Sequence, residues 1–150
     1  MKIDDAGLEI IKKFEGFREA PYRCQAGVPT IGYGTTHYDN GLAVSMRDAN
    51  ITRETAEQYL RHQVNTHYAD KVNHYVGIAI SQEQFDALTS FAYNEGTHAL
   101  KTSHLLKYVN RREFTKAANE FQKWIYVNGA VSTGLVRRRQ AERELFMTAG

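Results

Sequence analysis

The sequence predicts an α+β fold, mostly helical: a small N-terminal lobe with a short antiparallel sheet and a larger helical C-terminal lobe, joined by a long helix. Three observations predict it. Both prolines and five of the eleven glycines fall within residues 16–41, a window that no long helix can cross. The series Ala56, Tyr59, Leu60, Val64, Tyr68, Val72 and Tyr75 keeps i, i+3/i+4 spacing for about six turns. Shorter apolar series of the same period fill most of the rest.

The first helix is expected from about Asp5 to Phe14. It is capped by Asp4 or Asp5, turns Leu8, Ile11 and Phe14 inward, and stops at Glu15-Gly16. Within the glycine-rich window, Tyr22, Val28, Thr30, Ile31 and Tyr33 suit short extended segments with a turn at 25–27, giving two or three strands. The long helix starts after Thr52. Ser81-x-x-Gln84 is a capping box ahead of Phe85, Leu88 and Ala92, and Gly96 is a natural stop. Further helices fit about 103–110, 113–124 and 136–147. No repeat or low-complexity linker divides the chain, so it is expected to form one domain, with lobes of approximately 12–60 and 1–11 plus 75–150.

Composition narrows the class. With 42% hydrophobic residues and a formal charge of +2, the chain reads as one soluble domain with a real core. Mean hydropathy is −0.53, and no apolar run approaches the roughly 18 residues of a membrane span. The start, MKIDDAGLEIIKKF, lacks the continuous apolar stretch of a signal peptide. Residues 1–110 carry a charge of −2 and residues 111–150 carry +4. A basic end suits a polyanion, nucleic acid or an acidic wall polymer alike, or is a solvated helix face. Six histidines without a cysteine cluster or HExxH-like spacing give no metal signature. His62, His67 and His74 along the long helix read as surface residues. The lone Cys24 excludes an internal disulfide and is either buried filler or a reactive thiol.

Chemistry is expected at Glu15, which follows an amphipathic helix and precedes a turning glycine, so its carboxylate should lie where the lobes meet. There the negative end of the helix dipole and partial desolvation both disfavour ionisation. A carboxyl group kept protonated can donate to a glycosidic oxygen. Eight residues separate Glu15 from Cys24 and five separate Cys24 from Thr30. If 17–24 and 28–34 pair as a hairpin, the three groups face one cleft.

This E-x8-C-x5-T spacing, IIKKFEGFREAPYRCQAGVPTIGYGTTH at 10–37, SQEQFDALTSFAYNEG at 81–96 and W-x4-G-x4-GLVRRRQAERELF at 124–146 resemble the phage lysozymes, the endolysins related to bacteriophage T4 lysozyme. The resemblance implies a lysozyme-like fold and a muramidase that hydrolyses the β-1,4 bond between N-acetylmuramic acid and N-acetylglucosamine in peptidoglycan. It implies Glu15 as general acid and Thr30 as holder of the attacking water. Cys24 stands where commoner members carry aspartate. It either positions water with Thr30, giving inversion as the resemblance implies for those members, or attacks C1 as a thiolate, giving retention. Tyr33, Tyr93, Asn94 and Ser103 are implied to contact saccharide, and one arginine of 137–139, Arg138 foremost, to pair with Glu15.

No cofactor or metal is expected. The expected partner is the peptidoglycan glycan strand, met by a monomer with no nucleic acid and no stable membrane association. Without a signal peptide or signal anchor, the enzyme is expected in the host cytoplasm until holin-dependent release to the wall. Two rivals stand: a catalytically weak peptidoglycan-binding module, given Cys for Asp, and a nucleic-acid binder using the basic C-terminal helices. The second leaves the E-x8-C-x5-T pattern unexplained.

Overall fold

The structure, a computed structural model, describes residues 1–148. Helix α1 spans Asp5–Glu15, and the Asp4 carboxylate caps it by accepting the Asp5 N–H at 2.9 Å. Leu8 and Ile11 are fully buried, whereas Phe14 is only half-buried. Gly16, at φ +75°, ends the helix and turns the chain into a hairpin. Gly7 sets where α1 lies: a Cβ there would stand 2.8 Å from the Asp86 Cβ and 2.9 Å from the Ile3 Cγ1. Only a bare α-carbon admits so close an approach of α1 to α4 (Gln82–Glu95). Asp86 also accepts the Asp4 N–H at 3.0 Å, so the start of α1 is fastened to the same helix.

Strands β1 (Arg18–Arg23) and β2 (Pro29–Gly32) pair antiparallel, with Tyr22 opposite Thr30 and Arg23 opposite Pro29. The register slips between Arg18 and Tyr22, where Pro21 has no N–H to offer the ladder. The expected turn is present: Cys24 donates its N–H to Val28 O and accepts that of Gly27. The sheet has two strands, with single bridges Ile31–Thr35 and His37–Ala43 beyond them.

The long helix is a rod with an inserted turn. Helix α2 (Arg53–Val64), capped by Thr52, runs through a π turn at Asn65–Ala69 into α3 (Asp70–Tyr75). Its buried residues change allegiance there. Ala56, Leu60 and Val64 pack with Ile3, Leu8, Ile11 and Tyr33; Ala69 and Val72 join the larger core. The step from Val64 to Ala69 is five residues, so the wider turn rotates the apolar stripe from one core to the other. Helix α1 serves both bodies, its apolar side chains in the smaller cluster and its backbone against α4.

In the larger lobe, the capping box is reciprocal: Ser81 Oγ accepts the Gln84 N–H at 3.1 Å, and Gln84 Oε1 accepts the Ser81 N–H at 3.0 Å. Every residue of α4 from Gln84 to Ala92 is buried, so this helix is the lobe's axis. Around it lie α5 (Thr97–Thr102), α6 (His104–Asn110), α7 (Phe114–Glu120) and α8 (Thr133–Thr148). Phe91, Phe121, Phe146 and Trp124 meet edge to face, with centroids 5.2–5.9 Å apart.

Three expectations need correction. The helix expected over 113–124 ends at Glu120 and tightens into a 3-10 turn, Phe121–Lys123. A second hairpin, β3 (Tyr126–Val127) and β4 (Ala130–Val131), precedes α8. Its Asn128-Gly129 turn holds both residues at positive φ, the conformation a two-residue hairpin favours. Helix α8 begins three residues earlier than expected, at Thr133. Among the described residues, no helix is long and apolar enough to cross a membrane.

Gly7→Ala separates packing from propensity. Helix propensity favours alanine by about 1 kcal/mol, but overpacking against Asp86 costs about 1–3 kcal/mol. Urea denaturation is expected to show a lower midpoint for the variant.

Candidate active site

Glu15 closes α1, and its side chain remains 30% exposed. One carboxylate oxygen lies 3.1 Å from Arg138 Nη1. The other faces the backbone of the TIGYG turn, where a Cβ on Gly34 would stand 3.9 Å from it and 3.5 Å from Tyr93 Oη. Gly34 sits at φ +96°, so a side chain there would bring strain as well as crowding. Tyr68, from the π turn, meets the Tyr93 ring edge to face at 4.9 Å. Burial pushes both phenols upward, and the charge of Glu15 adds to the shift of each. They stay neutral beside the carboxyl group. The expected desolvation at Glu15 is therefore partial, and the nearest charge is a cation.

That cation is almost wholly buried. Arg138 is 3% exposed, and its guanidinium points in three directions: to Glu15, to Ser90 O at 3.3 Å, and to Glu142 Oε2 at 3.4 Å. Glu142, fully buried, accepts the Ser90 hydroxyl at 2.6 Å. Arg139, also fully buried, brings Nε to 2.9 Å from Glu142 Oε1, off the line of a hydrogen bond, so that contact is ionic. Its Nη2 donates to Asn94 Oδ1 at 2.6 Å, and its Nη1 lies 3.4 Å from Glu95 Oε1. Burial pushes the Glu142 carboxyl up; Arg139, the Ser90 hydroxyl and Arg138 oppose it in that order. Glu142 meets both arginines because it stands four residues after Arg138 and three after Arg139 on α8.

On the hairpin, the pairing of Tyr22 with Thr30 puts both side chains on one face, and strand alternation adds Cys24 to it. Thr30 is 3% exposed and donates its hydroxyl proton to Val28 O at 2.8 Å. Hydrogen bonding from the turn backbone at Val28, then at Ala26, holds the half-buried Cys24 thiol below the usual thiol range. The Thr30 hydroxyl makes a smaller contribution in the same direction.

The other residues implied by the resemblance divide. Asn94 lines a cavity of about 590 Å³ with Phe14, Glu15, Glu95, Tyr126 and Arg138. Tyr93 lies half-buried beside Glu15, its hydroxyl toward Tyr33 O. Two others lie deeper. Tyr33 is 3% exposed and packs its ring on Phe17, so no ring face is offered to a sugar. Ser103, 7% exposed, spends its hydroxyl as the cap of α6, donating to Leu100 O and accepting the Leu106 N–H. It borders a separate concavity with Glu120 and Trp124. His37, His62 and His67 border a third, and no group of three metal-ligating side chains among the described residues is placed to hold an ion.

Sequence pattern alone does not single out Tyr126, on the second hairpin, or Tyr68, on the π turn. For Glu142 there was a usable signal: RRRQAE puts the glutamate four residues after Arg138 and three after Arg139 once 136–147 is read as helix.

Known proteins resemble this chain in sequence and in fold. The phage lysozyme family model matches residues 12–142. The endolysin of Bacillus phage B103 is 46% identical over 99% of this chain, which spans 55% of that protein's length. Among solved structures, the endolysin from Escherichia coli O157:H7 phage FAHEc1 aligns with a TM-score of 0.88 at 37% identity, covering 100% of this chain and 96% of that one. The muramidase domain of SpmX from Asticaccaulis excentricus aligns with a TM-score of 0.83 at 37% identity, covering 97% of each chain.

Alkylation tests the thiol. Because the turn stabilises the thiolate, the pH of half-maximal iodoacetamide reaction at Cys24, followed by mass spectrometry, is expected below the value of about 8.5 for a free thiol. Thr30→Val should move it upward.

Proposed function

We propose that this chain, which belongs to the phage lysozyme family, hydrolyses the β-1,4 bond between N-acetylmuramic acid and N-acetylglucosamine in peptidoglycan. The placement of Glu15 carries the proposal: a carboxyl group at the rim of an open cavity, braced from behind by a buried guanidinium. In this course, protonated Glu15 donates to the bridging oxygen as the bond from that oxygen to C1 breaks. The carboxylate that forms is stabilised where it stands, because Arg138 is already aimed at it and needs no reorganisation. Positioned proton donation of this kind is worth about 10²- to 10⁴-fold in rate.

Water attacks C1 from the opposite face, held by Thr30 and Cys24. The Thr30 hydroxyl donates a hydrogen bond to Val28 O, which leaves its lone pairs free to accept from water. Hydrogen bonding from the turn lowers the Cys24 thiol, which favours its sulfur as an acceptor for that water. The proton that water loses passes to solvent, and Glu15 ends ionised and regains its proton from solvent. The product has inverted configuration. The substrate is the glycan strand of the wall, reached after release from the host cytoplasm.

Two measurements test this. In a peptidoglycan zymogram, wild type is expected to clear, and Glu15→Gln to lose at least about 100-fold of the activity; equal clearing by both removes Glu15 as the acid. NMR of the first product is expected to show the α-anomer ahead of mutarotation, whereas the β-anomer appearing first would mean direct attack by Cys24. A protein that binds wall but clears nothing would be the weakly catalytic binding module that the Cys24 substitution otherwise suggests.

A further inference from the structure

We propose that Glu142 is a positioning residue for Arg138, and that Glu142 and Arg139 form an opposed pair of buried charges that governs the proton held by Glu15. The proposal rests on the muramidase reading above, in which Glu15 must carry a proton to act. Three observations support it. First, Arg138 is the bridge: the same guanidinium touches Glu15 at 3.1 Å and Glu142 at 3.4 Å, and Ser90 O holds its third side. The direction of Nη1 toward the cavity is thus set from within the protein. Second, Glu142 and Arg139 are fully buried, where charges act on one another with little screening.

Third, the array is balanced when one of its carboxyl groups carries a proton, and Glu15 is the one that opens to the cavity. It contains two cations, Arg138 and Arg139, and three carboxyl groups, Glu15, Glu95 and Glu142. With Glu95 and Glu142 ionised against the two guanidiniums, the charges cancel when Glu15 carries its proton, and an unmatched negative charge remains when it does not. Glu142 therefore works as a partial counter-ion that keeps Arg138 from binding the Glu15 carboxylate too strongly. Arg139 works in the opposite sense and anchors the layer to the cavity wall through Asn94 and Glu95. The other ionisable groups facing Glu15 are Tyr68 from the π turn and Tyr93 from α4, both pushed upward and neutral over the working range. Cys24 and Tyr22 stand on the hairpin.

The sign of each substitution follows. Turnover needs protonated Glu15, so the rate falls as pH rises through its ionisation. Glu142→Gln removes an anion, favours the Glu15 carboxylate and moves that fall to lower pH. Arg139→Gln removes a cation and moves it to higher pH. Each shift is expected at about one pH unit, tenfold in the protonated fraction. The experiment measures pH–rate profiles on purified wall for both variants, together with ¹³C NMR titration of the Glu15 carboxyl group in the resting protein, assigned by Glu15→Gln. Opposite shifts support the proposal, and retention of the wild-type profile by Arg139→Lys strengthens it.

A uniform loss of turnover with unmoved titrations, or shifts in the same direction, would overturn it. If Glu142→Gln does not fold, Glu95→Gln gives the same sign from a partly exposed site and decides the question, since no shift there removes the charge-balance mechanism. The two readings fail separately: the NMR titration reports the coupling even without turnover, and clearing by wild type stands even if the titrations never move.

Discussion

A guanidinium that is 3% exposed has to find its acceptors inside the protein, and the partners of Arg138 decide how the cleft is built. Leaving such a cation unpaired costs about 3–5 kcal/mol. Its three contacts lie on three helices: Glu15 at the end of α1, Ser90 in the middle of α4 and Glu142 one turn further along α8. Satisfying the charge therefore fixes the end of α1 against the axis of the larger lobe. The tight crossing at Gly7 and the fastening of Asp4 to Asp86 do the same for the beginning of that helix. The carboxyl group at the rim is held from both ends of its helix, and the proton donation proposed for it needs that constancy of position.

The rod between the lobes answers a different constraint. One α-helical stripe cannot face two cores that lie on different sides of it, and the π turn at Asn65–Ala69 supplies the rotation. The same turn carries Tyr68, which packs on Tyr93 beside Glu15. A feature required by packing thus also furnishes the wall of the site.

Much of this was legible in the sequence because it depends on local chemistry. Asp4, Thr52 and Ser81 cap helices through hydrogen bonds one or three residues long, and each cap stands where its residue type and spacing place it. The E-x8-C-x5-T spacing translates into a helix end followed by a hairpin, because Gly16 and the turn at 25–27 leave the chain few other courses. What escaped depends on contacts distant in sequence or on elements too short for a period. The strands Tyr126–Val127 and Ala130–Val131 are exposed on both faces, so only Asn128-Gly129 marks them. The π turn is invisible to a 3.6-residue template that passes from Val64 to Tyr68 and omits Ala69. Tyr33 and Ser103 have residue types that suit a glycan, but their burial is decided by Phe17 and by the need of α6 for a cap.

The proposed chemistry at Glu15 has one direct outcome, cleavage of the glycan strand on the muramic acid side. Purified peptidoglycan digested by this protein, reduced with borohydride and analysed by mass spectrometry, tests it directly. New ends recovered as muramitol are the predicted result. Ends recovered as glucosaminitol, or free amines in the peptide stems without new reducing sugars, would contradict it.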